Sequence, residues 1–375
     1  MTPAKPPKEL KYLRLNRVIW PTLLSVAAVG FLTYRDISSG GWEAISTFEW
    51  TGHILLFIFL AFTMSAIRDL GYIWRLKMLS EDKLSWRAAF EVTFLWEFSS
   101  AITPSVVGGS AVAIFMLIKE KISAGKSTAM VFVTILLDEL FYVLILPISI
   151  LLVGNYDYLF NVTEYLGSGN GFFGAILTAF WVGYSIIVLY VGFLIFALFI
   201  RPEWSNYAIK RLFRLRILRR WARTGIRLAN ELLASSLEYR KRGPMFWLKL
   251  FFATCLAWMG RYLVLNCLTF GFGDPSFFDQ LVVFSRQAIL FLLMIISPTP
   301  GSSGVAEVVF PTLFGQFIPE GMSTVVVLIW RLATYFLYLF MGLIVIPRWV
   351  KRTFGSKTGK DSPTVPESTV AEPTR

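Results

Sequence analysis

What most constrains this chain is a row of apolar stretches separated by loops whose charge alternates in sign. Apolar runs at 18–34, 52–79, 127–153, 172–200, 245–270 and 322–347 approach or exceed the roughly 20 residues that a helix needs to cross about 30 Å of hydrocarbon. Lys and Arg gather at 1–17, 75–87, 119–126, 201–242 and 348–352, and the segment 201–242 alone holds twelve of them against three Glu. The intervening loops carry Asp36, Glu43, Glu49, Asp157, Glu164, Asp274 and Glu320 but one base, Arg35. Basic loops stay on the cytoplasmic side during insertion. The expectation is a multi-pass protein of a bacterial cytoplasmic (inner) membrane, with both termini cytoplasmic.

Composition excludes the other large classes. Apolar residues make up 55% and charged residues 16%, against about 45–50% and about 25% in soluble domains. A disordered chain, a disulfide scaffold and an ordinary soluble enzyme are all disfavoured. A net charge of +12 would suggest nucleic acid in a soluble protein. Here the charge follows the loops, so no nucleic-acid partner is expected. Cys255 and Cys267 lie twelve residues apart in one apolar run, about 18 Å along a helix, too far to bridge within it. The single His, His53, reads as an interfacial residue at a helix start. Zinc, haem and His-based triads need more, and no nucleotide-binding loop is present. No metal, no cofactor and no catalytic residue is therefore assigned.

The basic stretch 1–17 followed by the run 18–34 has the outline of a signal peptide without a small-residue cleavage site; it is expected to be an uncleaved first span. Residues 18–352 form the transmembrane domain. Residues 353–375, rich in Ser, Thr, Pro, Lys and Glu, are expected to form a disordered cytoplasmic tail.

Two segments break the pattern of plain spans. The segment 88–118 lies between basic loops and is interrupted at Thr103-Pro104-Ser105 to Gly109; the segment 277–318 lies between acidic loops and is interrupted from Ser297-Pro298 to Gly304. If each pair turns back inside the bilayer, one enters from each side and the broken tips meet near the midplane. Inverted repeats built around a central site have this pattern. Two ordinary spanning pairs would leave the charge parity unchanged. Ser110–Ile118 is too short to cross at about 1.5 Å per residue, whereas 277–297 is long enough. The expected fold class is all-α: a polytopic membrane protein with about six full spans and two inverted re-entrant helix pairs with Pro/Gly-broken tips.

Irregular backbone at membrane depth is tolerated only against protein or a watery cavity. Pro104 and Pro300 remove backbone donors, and Gly108, Gly109, Gly301 and Gly304 permit close approach and unusual dihedrals. Helices restarting near Ser110 and Ser303 would aim free N–H groups at the tips, where they would attract an anion such as a phosphate. Ionisable residues inside the apolar segments include Arg68, Asp69, Glu91, Glu97, Asp138, Glu139, Arg261, Arg286, Glu307 and Arg331. Each costs at least about 2.5–3.5 kcal/mol at a membrane centre unless paired or hydrated. Asp138 and Arg331 fall near mid-span. The segment 203–240 alternates basic with apolar residues and reads either as an amphipathic helix on the inner leaflet or as a topology-setting loop.

Taken together, Ile102-Thr103-Pro104-Ser105-Val106-Val107-Gly108-Gly109, Lys119-Glu120-Lys121-Ile122-Ser123 and Leu136-Leu137-Asp138-Glu139, followed by Pro298-Thr299-Pro300-Gly301-Ser302-Ser303-Gly304-Val305-Ala306-Glu307 and Trp330-Arg331-Leu332-Ala333-Thr334-Tyr335, resemble the transmembrane region of lysylphosphatidylglycerol synthases. The resemblance covers roughly 15–350. It implies a flippase-like membrane domain with re-entrant helices that moves phospholipids between leaflets. In the synthases a soluble domain using aminoacyl-tRNA follows the membrane part, whereas a short tail follows here, so only lipid handling is carried over. Ser105, Ser110 and Ala113 stand where the family's first cluster has more Gly, an acid and a base, and Glu139 stands where an Arg often follows the acid. The headgroup is therefore left open.

The leading expectation is a protein that translocates, or binds for translocation, a phospholipid-like amphiphile; it is not expected to be an enzyme. Arg261, Arg286 and Arg331 would neutralise phosphate, and Asp138, Glu97 and Glu307 would pair with those bases or with a cationic headgroup. The tips, Pro104, Gly108, Gly109, Pro300, Gly301 and Gly304, would hold the headgroup. Membrane lipids, anionic ones foremost, are the expected partners, and the oligomeric state is left open, a homodimer included. The alternatives are a secondary transporter of a small solute or ion and an integral-membrane enzyme that modifies lipids.

Overall fold

The computed structural model describes residues 46–103, 106–154, 170–216, 218–296 and 299–355, together with residues 30, 34 and 159. Most of the expected first span and of the loop 154–171, the tail beyond 355, and Pro104, Ser105 and Pro298 lie outside the described residues.

The chain is an all-α polytopic membrane protein. Helix α1 is Gly52–Leu79, α2 Trp86–Ile102, α3 Val106–Lys119 and α4 Ala124–Val153. Helix α5, Asn170–Ile195, runs into a π-turn, Phe196–Ile200, and the short α6, Pro202–Phe213, follows. Then come α7, Ala222–Arg240, α8, Pro244–Phe272, and α9, Phe277–Ile296. Helix α10 is Val305–Phe314, α11 is Ser323–Arg331, and a π-turn, Leu332–Phe336, joins α11 to α12, Leu337–Gly355. Among the described residues, six stretches are long and apolar enough to cross a membrane: α1, α4, 180–200, α8, 277–294 and 323–353. Ser and Thr cap the helix starts where the chain leaves a loop, as Thr51, Ser85 and Ser123 do for α1, α2 and α4.

Among the described residues, loops that share a charge sign also share a face. At the basic face, Lys126 at the start of α4 binds Glu81 at 2.7 Å and Glu238 at 3.3 Å, and Arg242 also pairs with Glu81. Arg352 in α12 reaches both Glu91 in α2 and Glu120 just after α3, and Trp349 Nε1 donates to Glu120. At the other face, Phe48 stacks on Phe272, His53 packs near Phe57 and Phe270, and an added Cβ on Gly273 would lie 2.9 Å from the Phe317 carbonyl. Helices α2 and α3 therefore begin and end at the basic face. Helices α9 and α10 begin and end at the opposite one.

Arm lengths follow from helix rise. The 17 residues of α2 and the 14 of α3 extend about 26 Å and 21 Å, each short of the hydrocarbon thickness. The 20 residues of α9 reach about 30 Å and the 10 of α10 about 15 Å. The last span gives the depth of the tips. Tyr335 lies twelve residues into it, about 18 Å from its Ser323 end, and its hydroxyl stands 3.2 Å from Ser303 Oγ and 3.5 Å from the Ala101 carbonyl. Both breaks are thus inside the span.

Close packing centres on α1 and α8. An added Cβ at Gly71 would lie 2.8 Å from the Ala253 carbonyl, and one at Gly260 would lie 2.8 Å from the Met64 carbonyl. Small residues let two backbones approach where lipid offers no hydrophobic drive of its own.

Two local expectations are corrected. The helix after the first break starts at Val106 rather than near Ser110, because Val106, Val107 and the two glycines continue the helical turn that the apolar run begins. The segment 203–240 is two packed helices, not one. Asn206 donates to Asn230 at 3.1 Å and Gly225 meets the Phe213 ring, so α6 folds back on α7 and buries part of its apolar face against it.

Candidate functional site

Each arm of the two broken pairs is held by a small number of contacts. At the first tip, a Cβ on Gly109 would lie 2.0 Å from Ser100 Oγ and 3.0 Å from Ser100 Cβ, so only glycine lets α3 cross α2 there. At the second tip, Gly301 (φ +58) and Gly304 (φ +89) take conformations that L-residues rarely adopt, and a Cβ on Gly301 would lie 2.2 Å from the Tyr335 ring. The π-turn at Leu332–Phe336 sets Tyr335 between the tips. Ser65 of α1 donates to the Ala333 carbonyl that the wider turn contains, at 3.1 Å.

Helix α10 is capped at both ends by buried charges. Glu307 is wholly buried; its Oε2 accepts from the Gly304 N–H at 2.8 Å and its Oε1 accepts from Arg331 Nε at 2.8 Å. Arg331, 2% exposed, also donates from Nη2 to the Gly301 carbonyl at 3.2 Å. At the other end Arg286 Nη1 donates to the Leu313 carbonyl at 2.8 Å, the orientation that suits a helix C-terminus. The free positive helix end expected at the second tip is therefore already occupied by the protein's own carboxylate.

A cavity of about 330 Å³ opens where the tips meet. Ser100, Ala101, Thr103 and Ser110 line it from the first break, and Thr299, Gly301 and Ser302 from the second. Tyr72, Arg75, Glu97, Thr134, Asp138, Glu139, Arg261, Tyr262, Gln287 and Arg331 supply polar groups, and Trp96, Trp258, Phe291, Met294 and Trp330 supply apolar wall. The volume is at the lower end of small-molecule sites.

Most of the cavity's charges are already matched. Arg75 grips both oxygens of Asp138, at 2.6 and 3.0 Å, and also donates to Thr254, while Trp258 Nε1 donates to Asp138 at 2.8 Å. Glu97 accepts from Arg68 at 2.6 Å; Arg68 lies 3.4 Å from Asp69, which Tyr338 binds through both oxygens. Arg331 is committed to Glu307. Two groups stand apart. Arg261, 28% exposed, reaches Glu97 only at 3.7 Å, lies over the Trp258 ring and has a buried Nε with no hydrogen-bond partner. Glu139 has a buried Oε2 with no hydrogen-bond partner.

Of the residues singled out in the sequence, Asp138, Arg261, Gly301 and Arg331 line the cavity, and Glu307 stands directly behind Arg331. Gly109 is at the crossing of the first arms and Gly304 at the start of α10. Pro300 opens a short 3₁₀ turn at the second tip. Gly108 lies on α3; Pro104 is outside the described residues. Arg286, 1% exposed, does not face the cavity, because α9 turns that residue toward the end of α10. Sequence reasoning missed Arg75, which reads as a basic span exit but bends inward to Asp138. It also missed Tyr262, Tyr335 and Tyr338, whose hydroxyls carry no charge signal.

Comparison with known proteins follows the same outline. Residues 18–342 match the family described as the lysylphosphatidylglycerol synthase TM region. A protein of Archaeoglobus fulgidus described as a UPF0104 membrane protein is 25% identical over 335 residues, covering 86% of this chain and 94% of the relative. No solved structure matches the chain. With more than four-fifths of its length inside the family match, the chain belongs to the lysylphosphatidylglycerol synthase transmembrane-region family.

Proposed function

We propose that this protein binds the headgroup of a phospholipid-like amphiphile in the cavity between its two broken helix pairs and passes it between leaflets. The pairs are read as re-entrant, one from each side, with the basic face cytoplasmic. The observation that carries the proposal is one cavity lined by both charged and apolar side chains, bordered by both breaks, at the depth of Tyr335 inside the last span. A polar site in hydrocarbon is costly and is retained where it lines a pathway. Its mixed lining suits a molecule with a polar head and an apolar tail.

Arg261 is the cation best placed to take a phosphate. Arg75 and Arg331 hold their own carboxylates in short ion pairs, and Arg286 holds a helix end. Arg261 alone of the four faces the cavity without a partner closer than 3.7 Å. Hydrogen bonds to charged groups contribute about 1.5–3 kcal/mol, so Arg261→Gln should slow movement of a fluorescent anionic phospholipid in proteoliposomes by about 10- to 100-fold. Thr134→Trp, which fills the cavity from α4, should slow it as well. Unchanged rates in both variants would refute the proposal.

The cavity's modest volume also admits a small anionic solute. Inhibition of lipid movement by soluble glycerol phosphate would leave the lipid reading in place. Uptake of glycerol phosphate into vesicles, with no lipid movement, would favour the solute.

A further inference from the structure

The cavity contains one acid that no ion pair explains. Glu139 follows Asp138 on α4, yet the two carboxyls differ completely in their surroundings. Asp138 is neutralised by Arg75 and bonded by Trp258. Glu139 lines the same cavity with its Oε2 buried and unbonded. Helix α1 brings Arg75, committed to Asp138, and Tyr72. Helix α8 brings Arg261, directed at Glu97, and Tyr262, whose buried hydroxyl is also without a hydrogen-bond partner. Helix α9 brings Gln287, bonded to Asn266 and the Val283 carbonyl. Helix α5 brings Tyr184, which donates to the Val143 carbonyl, and Tyr190. Helices α3 and α7 carry their charges at the basic face, where Glu231 of α7 accepts from the Gly125 N–H. On α4 itself, Tyr142 donates to the Ala288 carbonyl.

We propose that Glu139 is the proton-binding group of this cavity, and that lipid movement is coupled to its protonation. The proposal rests on the lipid reading for the coupling, but the proton site stands without it. A carboxylate inside the membrane with no counter-charge is expensive; binding a proton from cavity water removes the charge. Ionised Glu139 repels a phosphate drawn to Arg261, and neutral Glu139 does not. One proton is taken up before the headgroup enters and returned to water once it leaves.

The test uses the whole protein in vesicles. Dicyclohexylcarbodiimide adds to protonated carboxyls in apolar surroundings, and mass spectrometry locates the adduct. Glu139 should be modified, less so as the buffer is made alkaline, while Asp138 stays unmodified. In parallel, a fluorescent anionic phospholipid should move faster in acid than in alkaline buffer in the wild type. Glu139→Gln, nearly identical in shape, should abolish that dependence, and Glu139→Asp should retain it. Absence of the adduct at every pH would overturn the proton site. An adduct together with equal pH dependence in wild type and Glu139→Gln would overturn the coupling. If the wild type moves no lipid, the lipid reading fails and the labelling alone decides the proton site.

Discussion

Breaking the Arg331–Glu307 pair should unfold the second tip, and the cost can be worked from the contacts. Glu307 has no exposure and Arg331 2%, so removing either partner leaves a buried charge poorly compensated. Losing one partner of such a pair costs about 3–5 kcal/mol. Removing both charges leaves the Gly304 N–H and the Gly301 carbonyl without these side-chain partners, a loss of about 2 kcal/mol. Arg331→Met and Glu307→Met should each be strongly destabilising, whereas the double variant should be milder than either. Additive behaviour would instead require about 6–10 kcal/mol for the double variant. Urea or thermal unfolding in detergent, followed by size-exclusion recovery, measures the three variants in one series. A double variant at or beyond the sum of the singles would refute the buried-pair reasoning. It follows that loss of transport in either single variant would report folding, and that Arg261 and Thr134 are better probes of function.

Other outcomes follow from the same contacts. Gly109→Ala should destabilise by about 1–3 kcal/mol, since its Cβ would meet Ser100, and Ser100→Gly should restore most of the loss in the same unfolding assay. At the basic face, burial opposes ionisation of Glu81, but bonds with Lys126, Glu238 and Arg242 outweigh it and hold the carboxyl at about 2. Because the folded value is depressed, this interaction stabilises the fold above the ordinary 4.5 and is lost as pH falls toward about 2. Glu81→Gln should flatten that part of the stability profile, and an unchanged acid limb would count against the cluster.

Much of this fold is legible in the sequence because lipid imposes two simple requirements, length and charge sidedness. The runs 52–79, 127–153 and 245–270 nearly coincide with α1, α4 and α8, since a bilayer accepts few alternatives to a long apolar helix. The breaks are legible because Pro and Gly cluster there. Pairing is not. Arg75 and Asp138 are 63 residues apart, and no periodicity on either helix says which residue faces which. Arg286 could not be placed either, because α9 is apolar on most of its surface and its rotation is set by contact with α10. The fold-back of α6 on α7 was hidden for a different reason: residues 214–221 contain neither Pro nor Gly. That turn is made by packing of Phe213 against Gly225.

Water access to the two breaks is the most direct measurement. Cysteines placed singly at Ser110 and Ser302, one on each pair and both lining the cavity, in a background lacking Cys255 and Cys267, are treated in intact membranes with a small charged thiol reagent. Both should react, and a tryptophan at Thr134 should protect both at once, because one cavity serves the two sites. Positions on the lipid-facing side of α5, such as Leu189, should stay unmodified. Failure of both tip cysteines to react, or protection of one without the other, would contradict a shared wet cavity inside the membrane.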